Sequence, residues 1–135
     1  MSIDLAHVNW LAVFLSSVST FLVGGLWYSP FLFEYAWMQA AGLDVAELAR
    51  RSMGVVFGLS LMLSTIIAFT LGLVIEPDQG VLAGTGIGLL VGAGWILPAL
   101  WIISLFERRP VRYVAINGGY LITALAIMGA VHGAF

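Results

Sequence analysis

Asn117 heads a short set of residues with the capacity to do chemistry. Its amide could bind a solute or bridge to a neighbouring helix, and Gly118, Gly119 and Tyr120 follow it directly. It lies past Arg112 by roughly 7–8 Å of helical rise. His7 and His132, together with Asp4, could hold a metal or relay protons, but their spacing matches no metal-binding pattern. Glu34 and Glu107 border apolar runs, where water or the nearby arginines can satisfy them. The hydroxyls of Ser16, Ser17, Ser19, Thr20, Ser60, Ser64, Thr65 and Thr70 can return their hydrogen bonds to carbonyls of their own helices. A Ser/His/Asp triad would have to be drawn from opposite faces of a membrane. Gly84-x-Gly86-x-Gly88 has the spacing of a dinucleotide loop but sits inside an apolar run with no strand before it. The residues therefore point away from catalysis: no catalytic residue, metal site or cofactor is expected, and the chain reads as non-enzymatic.

Composition explains why so few such groups exist. Apolar residues make up 61% of the 135 and charged residues only 9%, against about 25% charged in an average soluble domain. Lipid must solvate much of such a surface. A net charge of −2 gives nucleic acid nothing to hold. The absence of cysteine excludes disulfides, thiolate metal sites and cysteine nucleophiles. The segment before the first apolar run has no basic residue and no small-residue cleavage site, so this run is expected to remain as a helix.

Crossing a hydrocarbon core takes about 20 apolar residues, and segments at about Val8–Tyr28, Met53–Ile75, Val81–Phe106 and Val114–Phe135 meet that length. The expected fold is all-α: a single polytopic domain over 1–135 with four transmembrane helices arranged as two hairpins. Glu76–Gly80 and Glu107–Arg112 are short polar turns between spans. The first connection is longer. In Gly24–Trp37, six of the seventeen aromatic residues fall between Trp27 and Trp37 around a Ser29-Pro30 break. The residue before a proline leaves the α region, and proline suits a first helical position. This predicts an interfacial helix over about 30–41, with Trp27, Tyr28, Pro30, Tyr35 and Trp37 as anchors at the membrane–water boundary.

Arginine placement sets the expected orientation. Arg50 and Arg51 lie in the first connection and Arg108, Arg109 and Arg112 in the third, while the N-terminus, the Glu76–Gly80 turn and the C-terminus carry no basic residue. By the positive-inside rule both termini face outward from a cytoplasmic membrane. Arg108, Arg109 and Arg112 are placed to meet anionic lipid headgroups.

An offset of 68 lays Gly24, Trp27, Pro30 and Leu32 on Gly92, Trp95, Pro98 and Leu100. The same offset lays the small residues Ser16, Thr20 and Gly24 on Gly84, Gly88 and Gly92. If this echo is a duplication, the halves are parallel hairpins related about the membrane normal, and Pro98 bends the third helix. Both small-residue rows suit close helix contact, within one chain or between copies. Gly54/Gly58 and Gly129/Gly133 repeat the device on the other two helices.

Val8-Asn9-Trp10-Leu11-Ala12, Gly24-Gly25-Leu26-Trp27-Tyr28-Ser29-Pro30, Phe33 and Ala36-Trp37-Met38 together resemble the domain-of-unknown-function 1761 family. These are small, mostly bacterial membrane proteins with four helices. Asn117-Gly118-Gly119-Tyr120 and Met128-Gly129-Ala130 are similar as well, so the resemblance spans nearly the whole chain. Glu34-Tyr35 departs from the family pattern, in which a small or basic pair is expected. The resemblance implies fold and a bacterial inner-membrane location, and no activity. The expected role is that of a homo-oligomer or an accessory subunit of a membrane complex, with lipids as further partners. A small transporter or channel with a path between the two hairpins, past Asn117 and the serine/threonine face of helix one, is the alternative.

Overall fold

A computed structural model describes residues 5–135. A 3-10 turn, Leu5–His7, leads into α1 (Trp10–Trp27), followed by α2 (Glu34–Ala41), α3 (Val45–Ala49) and α4 (Met53–Gly72). Then come α5 (Val81–Val91), a π-helical turn (Gly92–Ile96), α6 (Leu97–Phe106) and α7 (Val111–Ala134). Segment α5–α6 runs on as one rod, so four helical rods are long and apolar enough to cross a membrane. The chain is a polytopic all-α membrane protein.

Local chemistry explains several helix ends. The Asn9 side chain accepts from the Ala12 N–H at 3.1 Å and starts α1. Asp44 and Glu47 form a reciprocal capping box on α3. Gly42 closes α2 at φ 68, a left-handed position that suits glycine.

Two boundaries differ from expectation. The helix expected over about 30–41 begins at Glu34, because the residues before it fold into a compact turn. In that turn Leu32 donates its N–H to the Ser29 carbonyl at 3.0 Å and Phe33 donates to that of Trp27 at 3.1 Å. Pro30 is thus a turn residue, not a first helical residue. Helix α7 begins at Val111, earlier than Val114, because Pro110 with ψ 151 serves as its N-cap. Arg112 therefore lies within the helix.

The bundle is built around α7. It touches α1, α2, α4, α5, the π turn and α6, and its contact with α5 is the most extensive in the molecule. Val13, Ala68, Leu71, Ile75, Leu125 and Met128 pack together where α1, α4 and α7 meet. On α4, by contrast, Val55, Phe57, Leu59, Met62, Leu63 and Ile66 are all exposed. Hydrocarbon solvates such a face at no cost, so these residues need no protein cover.

The α5–α7 contact is made by backbone. A Cβ added at Gly84 would strike the Gly129 carbonyl oxygen, one at Gly129 would strike that of Gly84, and one at Gly88 would strike that of Leu125. At Gly92 the added atom would lie 2.9 Å from Ile122 Cα. The Gly84–Gly88–Gly92 row is therefore buried within the chain. The other row faces the same helix: Ser16 Oγ donates to the Met128 carbonyl at 3.4 Å, and the Thr20 carbonyl accepts from Tyr120 Oη at 3.4 Å. A Cβ on Gly24 would rest 3.4 Å from the Tyr120 ring. Parallel hairpins would each turn their row toward their own partner, so the two rows are not in equivalent settings. Trp27 and Trp95 differ too, the first half-buried and bonded, the second 73% exposed.

Helix three departs from α geometry just before Pro98. Leu97 donates its N–H to the carbonyl of Gly92, five residues back. Pro98 has no N–H and crowds the preceding turn, and the widened π turn accommodates it.

Gly88→Ala should lower stability by about 1–3 kcal/mol, since the two backbones must separate. Gly86→Ala, where the new atom meets nothing within 4 Å, should be neutral or stabilising. Heat denaturation of the two variants in mild detergent measures the difference. Equal loss from both would contradict a backbone seam.

Candidate functional site

At the end of the bundle that carries the arginines, the loop after α1 folds inward onto α7. Trp27 donates its indole N–H to the Ile116 carbonyl at 3.0 Å. Tyr28 Oη donates to Asn117 Oδ1 at 2.6 Å, and Asn117 Nδ2 donates to the Tyr113 carbonyl at 3.0 Å. Tyr28 also meets the rings of Trp37 and Tyr120, at centroid distances of 5.1 and 5.3 Å.

The glycines beside Asn117 make this docking possible. A Cβ on Gly119 would come within 3.0 Å of Trp27, and one on Gly118 would strike Leu97. Leu26–Pro30 and Asn117–Tyr120 are thus two halves of one joint. Trp27, Tyr28 and Trp37, expected as anchors at the membrane–water boundary, have protein partners as well. Tyr35, 74% exposed, keeps the outward position of an anchor. The amide of Asn117 is engaged within the protein on both its oxygen and its nitrogen.

Two connections are tied together beside this joint. Arg109 Nη1 donates to the Ala41 carbonyl at 2.9 Å, its Nε pairs with Glu107 at 3.3 Å, and its guanidinium lies 5.3 Å from the Tyr113 ring centre. The bond to Ala41 places the first and third connections, with all five arginines, at one end of the bundle. The ion pair is solvent-exposed, so it adds little stability. Arg108 and Arg112 are exposed.

The histidines lie at the opposite end. His132 packs against Gly72, and among the described residues its Nε2 meets no hydrogen-bond partner. His7 belongs to the first 3-10 turn. Asp4, the third member of that conjectured set, lies outside the described residues. Among the described residues, no three metal-ligating side chains converge.

A cleft of about 530 Å3 lies elsewhere, between α4 and the π turn, with α7 as its floor. That volume falls within the range of small-molecule sites. The walls are apolar except for the hydroxyls of Thr20, Ser60, Ser64, Thr70 and Tyr120 and the indole of Trp95. Helices α4 and α5 are joined by a tight turn yet barely touch, because α5 packs on α7 and α4 packs mainly on α1. The cleft is the space this leaves. Sequence reasoning missed it, although Pro98 beside Gly92 and Gly94 marked the irregular wall.

The Tyr28–Asn117 bond should couple its partners by about 0.5–1.5 kcal/mol, the range measured for hydrogen bonds between membrane helices. A double-mutant cycle with Tyr28→Phe and Asn117→Leu, read by heat denaturation, measures it. Additive losses would show that the bond carries no coupling.

One family matches the chain: DUF1761, described as a protein of unknown function, over residues 11–133. No curated protein and no solved structure matches.

Proposed function

Since the chain belongs to the DUF1761 family, whose description assigns no activity, we propose from its own geometry that it is a non-enzymatic assembly protein of the bacterial inner membrane. It acts as a homo-oligomer or as an accessory subunit of a membrane complex. Both termini face outward, and the arginine end lies in the cytoplasm, where Arg108 and Arg112 meet anionic headgroups. Arg109 holds the loops together as well.

One observation carries the assembly reading. Gly84, Gly88, Gly92, Gly118, Gly119, Gly129 and Gly133 are covered within the chain, whereas a Cβ at Gly25, Gly54, Gly58 or Gly86 meets nothing within 4 Å; of these open helical glycines, Gly54 and Gly58 stand one turn apart on one helix, α4. Gly54-Val-Val-Phe-Gly58 has the spacing that lets two membrane helices approach closely. This moves the assembly surface from the row Gly84, Gly88 and Gly92 to α4. The alternative, a small transporter or channel, takes its path between the two hairpins past Asn117 and the serine/threonine face of helix one. The Asn117 amide is bonded to Tyr28 and Tyr113, and Ser16, Ser17, Ser19 and Thr20 donate to backbone carbonyls, so the polar groups it relies on already have partners within the chain.

Two experiments test the proposal. Gly58→Ile should weaken self-association in mild detergent or lipid discs by about tenfold or more without lowering the denaturation midpoint. A wild-type protein that stays monomeric and alone at native expression would overturn it. The chain has no cysteine, so single cysteines report topology cleanly. An impermeant maleimide should label Gln79→Cys in intact cells and Arg51→Cys only after permeabilisation; the reverse pattern would invert the orientation.

A further inference from the structure

Ser60 and Ser64 differ from the other membrane hydroxyls of this chain. Ser17, Thr65, Thr70, Thr85, Ser104 and Thr123 each donate to a carbonyl four residues back on their own helix. Among the described residues, no hydrogen-bond partner meets the hydroxyl of Ser60 or Ser64, which stand one turn apart on α4 and line the cleft. Ser64 is only 7% exposed as a residue and Ser60 is exposed, and both line the cleft. A hydroxyl that opens into a hydrocarbon-filled cleft without a partner is costly. Across the cleft the π turn presents Trp95, 73% exposed, whose indole N–H can only donate.

Depth restricts what can answer these donors. By helical rise, Ser60 and Ser64 lie about 10 and 16 Å from the arginine-end start of α4, and Trp95 lies about 16 Å from the same end of α6. In a hydrocarbon core of about 30 Å these are interior positions. A phospholipid keeps its ester groups at the boundary with its charged head. No charged side chain lines the cleft to draw an ion down. The missing partner is therefore neutral, accepts hydrogen bonds and dissolves wholly in the membrane.

We propose that the cleft between α4 and the π turn binds an uncharged membrane lipid through a carbonyl group. Ser60, Ser64 and Trp95 donate to the carbonyl, and the apolar body lies against Leu71, Leu121 and Leu125. Two neutral lipid classes carry such a group: quinones through ring carbonyls and diacylglycerols through esters.

Full-length protein in a neutral detergent, titrated separately with decylubiquinone and dioctanoylglycerol, tests the proposal. Dioctanoylphosphatidylglycerol serves as the charged comparison. At least one neutral probe should bind saturably and raise the denaturation midpoint, and whichever binds identifies the source. Ser60→Ala with Ser64→Ala should weaken that binding by about tenfold, as expected for lost hydrogen bonds to a buried acceptor. Alanine suits a helix, so the unliganded midpoint should hold. Leu63→Trp, which fills the cleft from α4, should abolish binding. Absence of saturable binding by both neutral probes, equal affinity for the charged lipid, or unchanged affinity in the serine double variant would each overturn the proposal.

Discussion

Inside a bilayer a helix gains nothing by hiding apolar surface from lipid, so two helices stay together only where they fit closely. In this chain that requirement is met by backbone contact between α5 and α7. Gly84, Gly88 and Gly92 on one side meet Gly129, Leu125 and Ile122 on the other, at separations that leave no space for a Cβ. The rest of the bundle follows from this seam. With α5 held against α7, and α1 held there by Ser16, Thr20 and Gly24, helix α4 is left at the edge against α1. The cleft and the open glycines of α4 both result from that placement.

The aromatic turn after α1 completes the arrangement. A membrane protein cannot leave irregular backbone facing lipid, and here the turn folds onto the glycines of α7. Trp27 and Tyr28 reach α7 through hydrogen bonds while their rings meet Phe33, Trp37 and Tyr120 in tilted and edge-on contacts. Arg109 ties the Ala41 carbonyl to the far connection. The arginine end is thus braced by side chains, whereas the other half of the α5–α7 contact is braced by main chain.

The number of spans, their approximate limits and the long first connection were legible in the sequence, because run length and charge placement determine them. The partners of the glycine rows were not. A row of small residues declares close contact without saying with what, so the rows of α1 and α5 read as a symmetric pair when both in fact face α7. The joint that Trp27 and Tyr28 make was hidden for a related reason: a ring with a polar edge suits a membrane boundary and an interhelical joint equally. Asn117 was legible as an interhelical bond. The cleft was not, since it depends on α4 and α5 standing apart, which no local pattern encodes. Ser60 and Ser64 look like Thr65 and Thr70 until the bonding of each hydroxyl is seen.

The glycine seam between α5 and α7 lies within one chain. Nitroxide labels at Thr85→Cys and Ala130→Cys, flanking the contact between α5 and α7, measure it directly in a chain without native cysteine. Strong dipolar broadening is predicted, unchanged when labelled protein is diluted with an excess of unlabelled protein. Broadening that disappears on dilution would place the seam between copies, and its absence from the undiluted sample would mean that the seam does not form.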